Sequence, residues 1–354
     1  MNTKLHILKA SHGDALIIEA WTKDDECIII LVDGGIASTY QSELKPFIKS
    51  FEKINLLILT HTDNDHIKGL INFFKSSLYD QMQIDKYWAN SKYSVKIQTN
   101  NQVSFGSGKE FDKFLLEKEG EDFKHKWDED IYFTGNIISC KDIEIMVLSP
   151  TKDILDSFYR KWVEHESDND NNCQISGSVC NQLEKGSIEE LASSPFLPNK
   201  TLEDDFINAS SIAIILWLPD FSVLLLGDSR PEIILESLKT IGYNDTDKRL
   251  KVDYVKVSHH GSKNNTSMNL LNYIECDNFI FSTNGGSARS KHPDRETIAR
   301  ILCRKSRNVE NTTYLHFNYP ISTIENKAGK FITEEELRLF NCIIRDNINT
   351  LPDE

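Results

Sequence analysis

The feature that most constrains this chain is a stretch of six residues, His61-Thr62-Asp63-Asn64-Asp65-His66, that follows directly on the apolar run NLLILT. A run of that length and composition reads as a buried strand, and the GLINFF that follows reads as the start of a helix. Two imidazoles and two carboxylates, His61, Asp63, Asp65 and His66, thus stand where a strand ends. Taking a carboxylate out of water is costly unless a cation or hydrogen bonds answer it, and a divalent ion answers all four groups at once. The end of a strand is also the usual address of a functional site in an α/β protein. Two further strand-like runs end the same way: FSVLLLGD closes on Asp228, and VDYVKVSHHGS carries His259 and His260.

The rest of the chain supplies strands for two sheets. KLHIL, ALIIEA and CIIILVDGG precede the cluster, with a helical segment around Ser42 to Lys53, and IEIMVLSP restores a strand near Ile143 to Leu148. SSIAIILWLP and FSVLLLGD read as a hairpin turning at Pro219-Asp220, and FIFSTNGG and TTYLHF follow. A capping box from Thr333 to Glu336 opens a helix expected to run through LRLFNCII. Between the two strand-rich halves lies a polar insertion, residues 150–205, carrying SDNDNN and reading as a solvated or partner-specific element. The expectation is one α/β domain over residues 1–354, with 150–205 as an insertion and 302–354 as a C-terminal strand and helix that complete or decorate it.

Composition narrows the class. With 39% hydrophobic and 27% charged residues the 354-residue chain has the apolar mass for a substantial core. No apolar run approaches the roughly 20 residues of a membrane-spanning helix, and the N-terminus lacks a signal-peptide core, so no membrane is expected and a cytoplasmic location is the default. Seven cysteines without a C-x-x-C pair read as reduced thiols, with Cys173 and Cys180 a weak alternative as metal ligands. The net charge of −14 disfavours loose attraction to nucleic acid, while anionic small molecules or a locally basic groove stay open.

HTDNDH resembles the H-x-H-x-D-H signature of the metallo-β-lactamase superfamily, with Asp63 in place of the second histidine. Together with LVDGG, LLLGD, SHHGS and SKHPD, it resembles the subgroup typified by the hydrolase-like domain of ComEC-type competence proteins. SHGDALIIE is similar to that subgroup's G-x-G-D-A-x-x-I opening, with Ser11 for its first glycine, and NASSIAIIL to its N-x-x-S strand. The likeness covers roughly Leu5 to Ser149 and Ile207 to Ile301. It implies a four-layer αββα sandwich with the metal site at one edge of the two sheets. It further implies that His61 and Asp63 serve one metal and Asp65 and His66 another, with Asp228 bridging and His260 completing the second site, His259 being the competing choice. Where many members supply another histidine, this chain has Ser149.

The chemistry expected is that of a metal-dependent hydrolase with one or two ions. Asp63 hardens the donor set and shifts preference toward manganese before zinc. A divalent ion lowers the pKa of bound water from about 15.7 to about 7, so attack of hydroxide on phosphorus or carbonyl follows, with Asp65 orienting the water. Ser262, Lys263 and Asn264 are candidates to hold substrate, and His292 to protonate a leaving group. A phosphodiesterase, acting on nucleic acid or a nucleotide, is the leading expectation. The alternatives are a hydrolase of a lactone, thioester or β-lactam, and a non-catalytic interaction protein binding a partner through the insertion.

Overall fold

The computed structural model describes residues 2–90, 106–119, 126–128, 130–164, 181–286 and 290–352. The run SDNDNN and both Cys173 and Cys180 lie outside them. Two mixed sheets dominate. The first holds β1 (Lys4–Ile7), β2 (Leu16–Trp21), β3 (Cys27–Val32), β4 (Leu56–Leu59), β5 (Tyr87–Ala89) and β6 (Trp127–Asp128). The second holds β7 (Ile137–Cys140), β8 (Ile143–Ser149), β9 (Ala213–Trp217), β10 (Ser222–Leu225), β11 (Tyr254–Lys256), β12 (Asn278–Phe281), β13 (Thr313–Phe317) and β14 (Cys342–Arg345). The chain then crosses back, and β15 (Thr350–Leu351) pairs antiparallel with β1. Each sheet begins as an antiparallel meander and continues with parallel strands.

The strands are apolar on both faces, and the period of two sorts their side chains into separate cores. In β3, Ile28, Ile30 and Val32 face the second sheet, where they meet Ile145, Ile214, Val223 and Leu225. Ile29 and Leu31 face outward, under Ile67, Leu70 and Phe74 of α1 (Asn64–Phe74) and Phe111 of α2 (Gly106–Glu119). The outer face of the second sheet, with Leu224, Val255 and Phe279, is covered by helices beyond α3 (Lys152–Glu164). These are α4 (Ile188–Ser193), α5 (Pro231–Thr240), α6 (Arg295–Cys303) and α7 (Ile321–Ala328). The result is the expected αββα order.

Two expectations need amendment. The helix opened by Thr333 has the full capping box but ends early, as α8 (Glu334–Leu339). Asn341 turns the chain at φ 41°, and the β-branched pair that follows extends to run parallel to β13 as β14. The insertion is also less detached than its polarity suggests. Ile188, Leu191 and Ala192 belong to the outer core, and Gln182 donates to the carbonyls of Pro293 (3.0 Å) and Ala328 (2.9 Å). Leu155 and Phe158 of α3 form a small cluster with Tyr132 and Phe206. The hairpin at Pro219-Asp220 forms, closed by Leu218 N–H to the Phe221 carbonyl at 2.9 Å. Among the described residues no helix is long and apolar enough to cross a membrane, and Cys27, Cys140, Cys276, Cys303 and Cys342 are free thiols.

Candidate metal centre

The strand ends of both sheets meet at one rim. β4 delivers Thr60 and His61; the extended Asp63 precedes α1, which carries Asp65 and His66 in its first turn. From the second half, the turn after β10 brings Asp228 and the turn after β11 brings His259 and His260. Consecutive side chains of a strand point apart, yet both of these histidines face the centre. They do so because both are left-handed, at φ 47° and 55°, followed by Gly261 at φ 94°. Non-glycine residues hold that conformation at a cost of about 1–3 kcal/mol each, a strain that clusters at functional sites.

Asp228 is the hub. Its Oδ2 lies 3.7 Å from His61 Nε2, 3.5 Å from His66 Nε2 and 3.7 Å from His259 Nε2. His260 Nε2 lies 3.9 Å from Asp228 Oδ1 and 3.7 Å from Asp65 Oδ2, and His61 Nε2 is 3.7 Å from Asp63 Oδ2.

The partners of the opposite ring nitrogens fix each tautomer. Thr60 spends its hydroxyl proton on Asp33 Oδ2 at 2.7 Å, so it can only accept from His61 Nδ1–H at 3.0 Å. His66 Nδ1–H donates to the same carboxylate at 2.8 Å. Asn265 donates its amide to the Asp228 carbonyl at 2.9 Å, leaving its oxygen for His259 Nδ1–H at 3.1 Å. His260 Nδ1–H donates to the Ser282 carbonyl at 2.8 Å. All four imidazoles therefore present a bare Nε2 inward. Those of His61, His66 and His260, with Asp228 Oδ1, are buried and have no hydrogen-bond partner. Buried polar atoms are rarely left so, and imidazoles held through Nδ1 with Nε2 bare are what a metal ion requires.

The candidate ligand atoms fall into two triads that share a member: His61, His66 and Asp228, and Asp65, His66 and His260. A third group, Asp14, Asp33 and His66, is a supporting layer, because its carboxylates are already engaged. Asp33 holds Thr60 and His66. Asp14 pairs with the buried Lys256, stands 3.5 Å from His260 Nδ1, and its backbone N–H donates to the Asp65 carbonyl at 3.3 Å.

Without an ion the charges are in conflict. Burial pushes His61 down to about 3. Burial also opposes charge on His260, but the Asp228 and Asp14 carboxylates outweigh it and raise the group to about 9. His66 is likewise raised, against burial, by Asp228 and Asp33. Partial desolvation, then the like charges of Asp65 and Asp228, push Asp63 up to about 7, although its side chain keeps 43% of its surface open. Protons substitute here for positive charge that a divalent ion would supply.

The remaining sequence candidates lie around this rim in differing circumstances. His292 packs its ring 5.4 Å from that of His259, with Nδ1 3.4 Å from Asp294 Oδ2. Lys263 turns its ammonium to Glu296 at 3.1 Å. Ser262 is buried and accepts from the Asn264 N–H at 3.2 Å, while Asn264 accepts from the Asn199 N–H at 3.2 Å. Ser149 is buried at the end of β8. Asp14, Asp33, Lys256 and His12 received no role from the sequence, although LVDGG and SHGDALIIE contain three of them. His12 stands where the charges of Asp65, His260 and His66 reach it.

No protein-family model matches the chain, and no curated protein matches it. Among solved structures it is similar to the metallo-β-lactamase fold protein YhfI from Bacillus subtilis, at 9% identity and a TM-score of 0.42 over 99% of both chains. It is similar to Tm1679, titled a metal-dependent hydrolase of the β-lactamase superfamily, at 10% identity and 0.41 over the whole of both. CmlA, a diiron β-hydroxylase from Streptomyces venezuelae, aligns at 10% identity and 0.42 over 99% of this chain and 53% of its own, so the chain spans about half of that protein. At these identities the likeness concerns the fold alone.

Proposed function

We propose that this protein is a metal-dependent hydrolase of the metallo-β-lactamase type that cleaves phosphodiesters. The observation that carries the metal reading is the set of four imidazoles, each held through Nδ1 and each aiming Nε2 at Asp228. His61, His66 and Asp228 would hold one ion, and Asp65 and His260 would hold a second or join the first, since the one bare nitrogen of His66 serves a single ion, with Asp63 and His259 beside them. A divalent ion bound there supplies a Lewis acid for an oxyanion and acidifies water to near neutrality.

The chain's own groups do the rest. Asp65, at the rim of the centre, accepts a hydrogen bond from an attacking water and orients it. His292, with Asp294 Oδ2 3.4 Å from its Nδ1, would give a proton to a leaving oxygen. Three carboxylates, Asp63, Asp65 and Asp228, join the imidazoles; they harden the donor set toward manganese ahead of zinc, and hard ions suit phosphoryl oxygens. The nearer likeness to ComEC-type proteins rests on the motifs LVDGG, SHHGS and SKHPD. Purified protein should contain close to stoichiometric divalent metal, and with Mn²⁺ it should hydrolyse a nucleic acid or a cyclic nucleotide. Equal behaviour of the wild type and Asp65→Ala in that assay removes the catalytic reading, and protein that neither binds metal nor turns over leaves an interaction role.

A further inference from the structure

Near the metal centre the lysines are spoken for. Lys256 is buried against Asp14, and Lys263 and Lys185 both turn to Glu296. Lys327, exposed in the last turn of α7, differs: it makes no hydrogen bond or ion pair among the described residues, and partial loss of water lowers its pKa. Its charge reaches His12, and His12 in turn feels Asp65, His260 and His66. His12 is half-buried and has no hydrogen-bond partner among the described residues.

The backbone around this pair is built tightly. Ser11 is left-handed at φ 67°, and Gly13 packs so close that an added Cβ would fall 1.8 Å from the Asp65 carbonyl oxygen. His12 is therefore pinned next to Asp65. Ser11 is tied to the turn after β12 by the Asn284 N–H to its carbonyl and the Asn284 amide to its Oγ, both at 2.8 Å. Gly285, in that turn at φ 97°, lies against α7, where a Cβ would come 2.9 Å from Lys327 Cβ. The Ser11–Asp14 turn, the Asn284–Gly285 turn and the end of α7 thus form one wall beside Asp65 and His260, on a protein whose net charge is −14.

We propose that His12 and Lys327 form an anion subsite that takes a second phosphate, adjacent to the one attacked. The exposed Lys327 ammonium and the half-buried His12 imidazole, within electrostatic reach of one another and each without a bonding partner among the described residues, offer two donors for charge-assisted bonds to an anion. The subsite makes the substrate a polyphosphorylated one, such as an oligonucleotide or a nucleotide with two phosphoryl groups, in preference to an isolated diester. This rests on the phosphodiesterase reading for its meaning but is tested without turnover.

The test compares thymidine 5′-monophosphate with thymidine 3′,5′-bisphosphate by calorimetry on Mn²⁺-loaded protein, for the wild type, Lys327→Met and His12→Gln, with metal content measured in each. The wild type should prefer the bisphosphate by about tenfold, the effect of one charge-assisted contact. Each variant should lose that preference while keeping its affinity for the monophosphate and its metal. A wild type that shows no preference, or binds neither nucleotide, overturns the proposal, as do variants that retain the preference. Because binding is read directly, loss of the preference in the variants upholds the subsite even if no phosphodiester is hydrolysed, an outcome that counts only against the catalytic reading.

Discussion

At the scale of single residues, the tautomer-fixing layer carries as much of the site as the ligands do. Asp33 is buried, left-handed at φ 59°, and receives three hydrogen bonds from Thr60 and His66. Asp33→Asn removes the charge that orients two imidazoles, and metal affinity should fall about 10- to 100-fold, as for other partners of ligating histidines; competition against a chromophoric chelator reads the change. The metal-free protein should also respond to pH in a defined window. His260, raised to about 9 from 6.5, contributes stability that is present below pH 6.5 and lost as pH rises through 9. Asp63, raised to about 7, acts in the same direction, since above that pH it carries an uncompensated charge. Thermal unfolding of chelator-treated protein should therefore show a falling Tm from pH 6.5 to 9, while metal affinity rises over the same interval because protons leave the ligands. A Tm that climbs across that window contradicts the arrangement. The side chains that converge on the centre were legible in the sequence, because a strand cannot end in four such groups without a reason. Asp33, Asp14 and Lys256 were not, because their role depends on which neighbour the fold brings to them, and a lone aspartate after a strand reads equally well as a turn.

At the scale of elements, α1 is docked through three glycines, Gly34, Gly35 and Gly69. Gly34 N–H donates to the His66 carbonyl at 2.8 Å, Gly69 N–H donates to the Gly35 carbonyl at 2.9 Å, and a Cβ on Gly69 would sit 1.8 Å from the Gly34 oxygen. Gly69→Ala must push the helix off the β3 turn, and overpacking of this kind costs about 1–3 kcal/mol. The variant should melt lower and bind metal more weakly, since the same helix carries Asp65 and His66; unchanged values of both would mean that the helix docks otherwise. The GLINFF helix and the apolar strands were readable from period and composition. The early end of α8 was not, since LRLFNCII fits either period, and only pairing of Cys342–Arg345 with β13 decides it.

For the whole molecule, the link between the halves runs through buried charge. Lys256 from the second half and Asp14 from the first form an ion pair with both side chains nearly inaccessible. Lys256→Met leaves the Asp14 carboxylate buried alone and should destabilise by about 3–5 kcal/mol, while Lys256→Met with Asp14→Leu should recover much of that loss. Chemical denaturation of the two variants separates these outcomes. The two-sheet architecture could be anticipated from strand-rich halves, but the return of β15 to β1 could not, because two residues carry too little pattern to be read as a strand.

The imidazoles and the carboxylates of the centre differ in one respect that bears on ion choice. Each ring is clamped at its far nitrogen, whereas Asp63 forms no capping bond and Asp65 keeps part of its surface in water. The nitrogens thus act as a fixed jaw and these oxygens as a sliding one. Ions of unequal radius would be accommodated by shifts of Asp63 and Asp65, with the rings staying in place, so discrimination among divalent ions would fall to the acidic side of the cage.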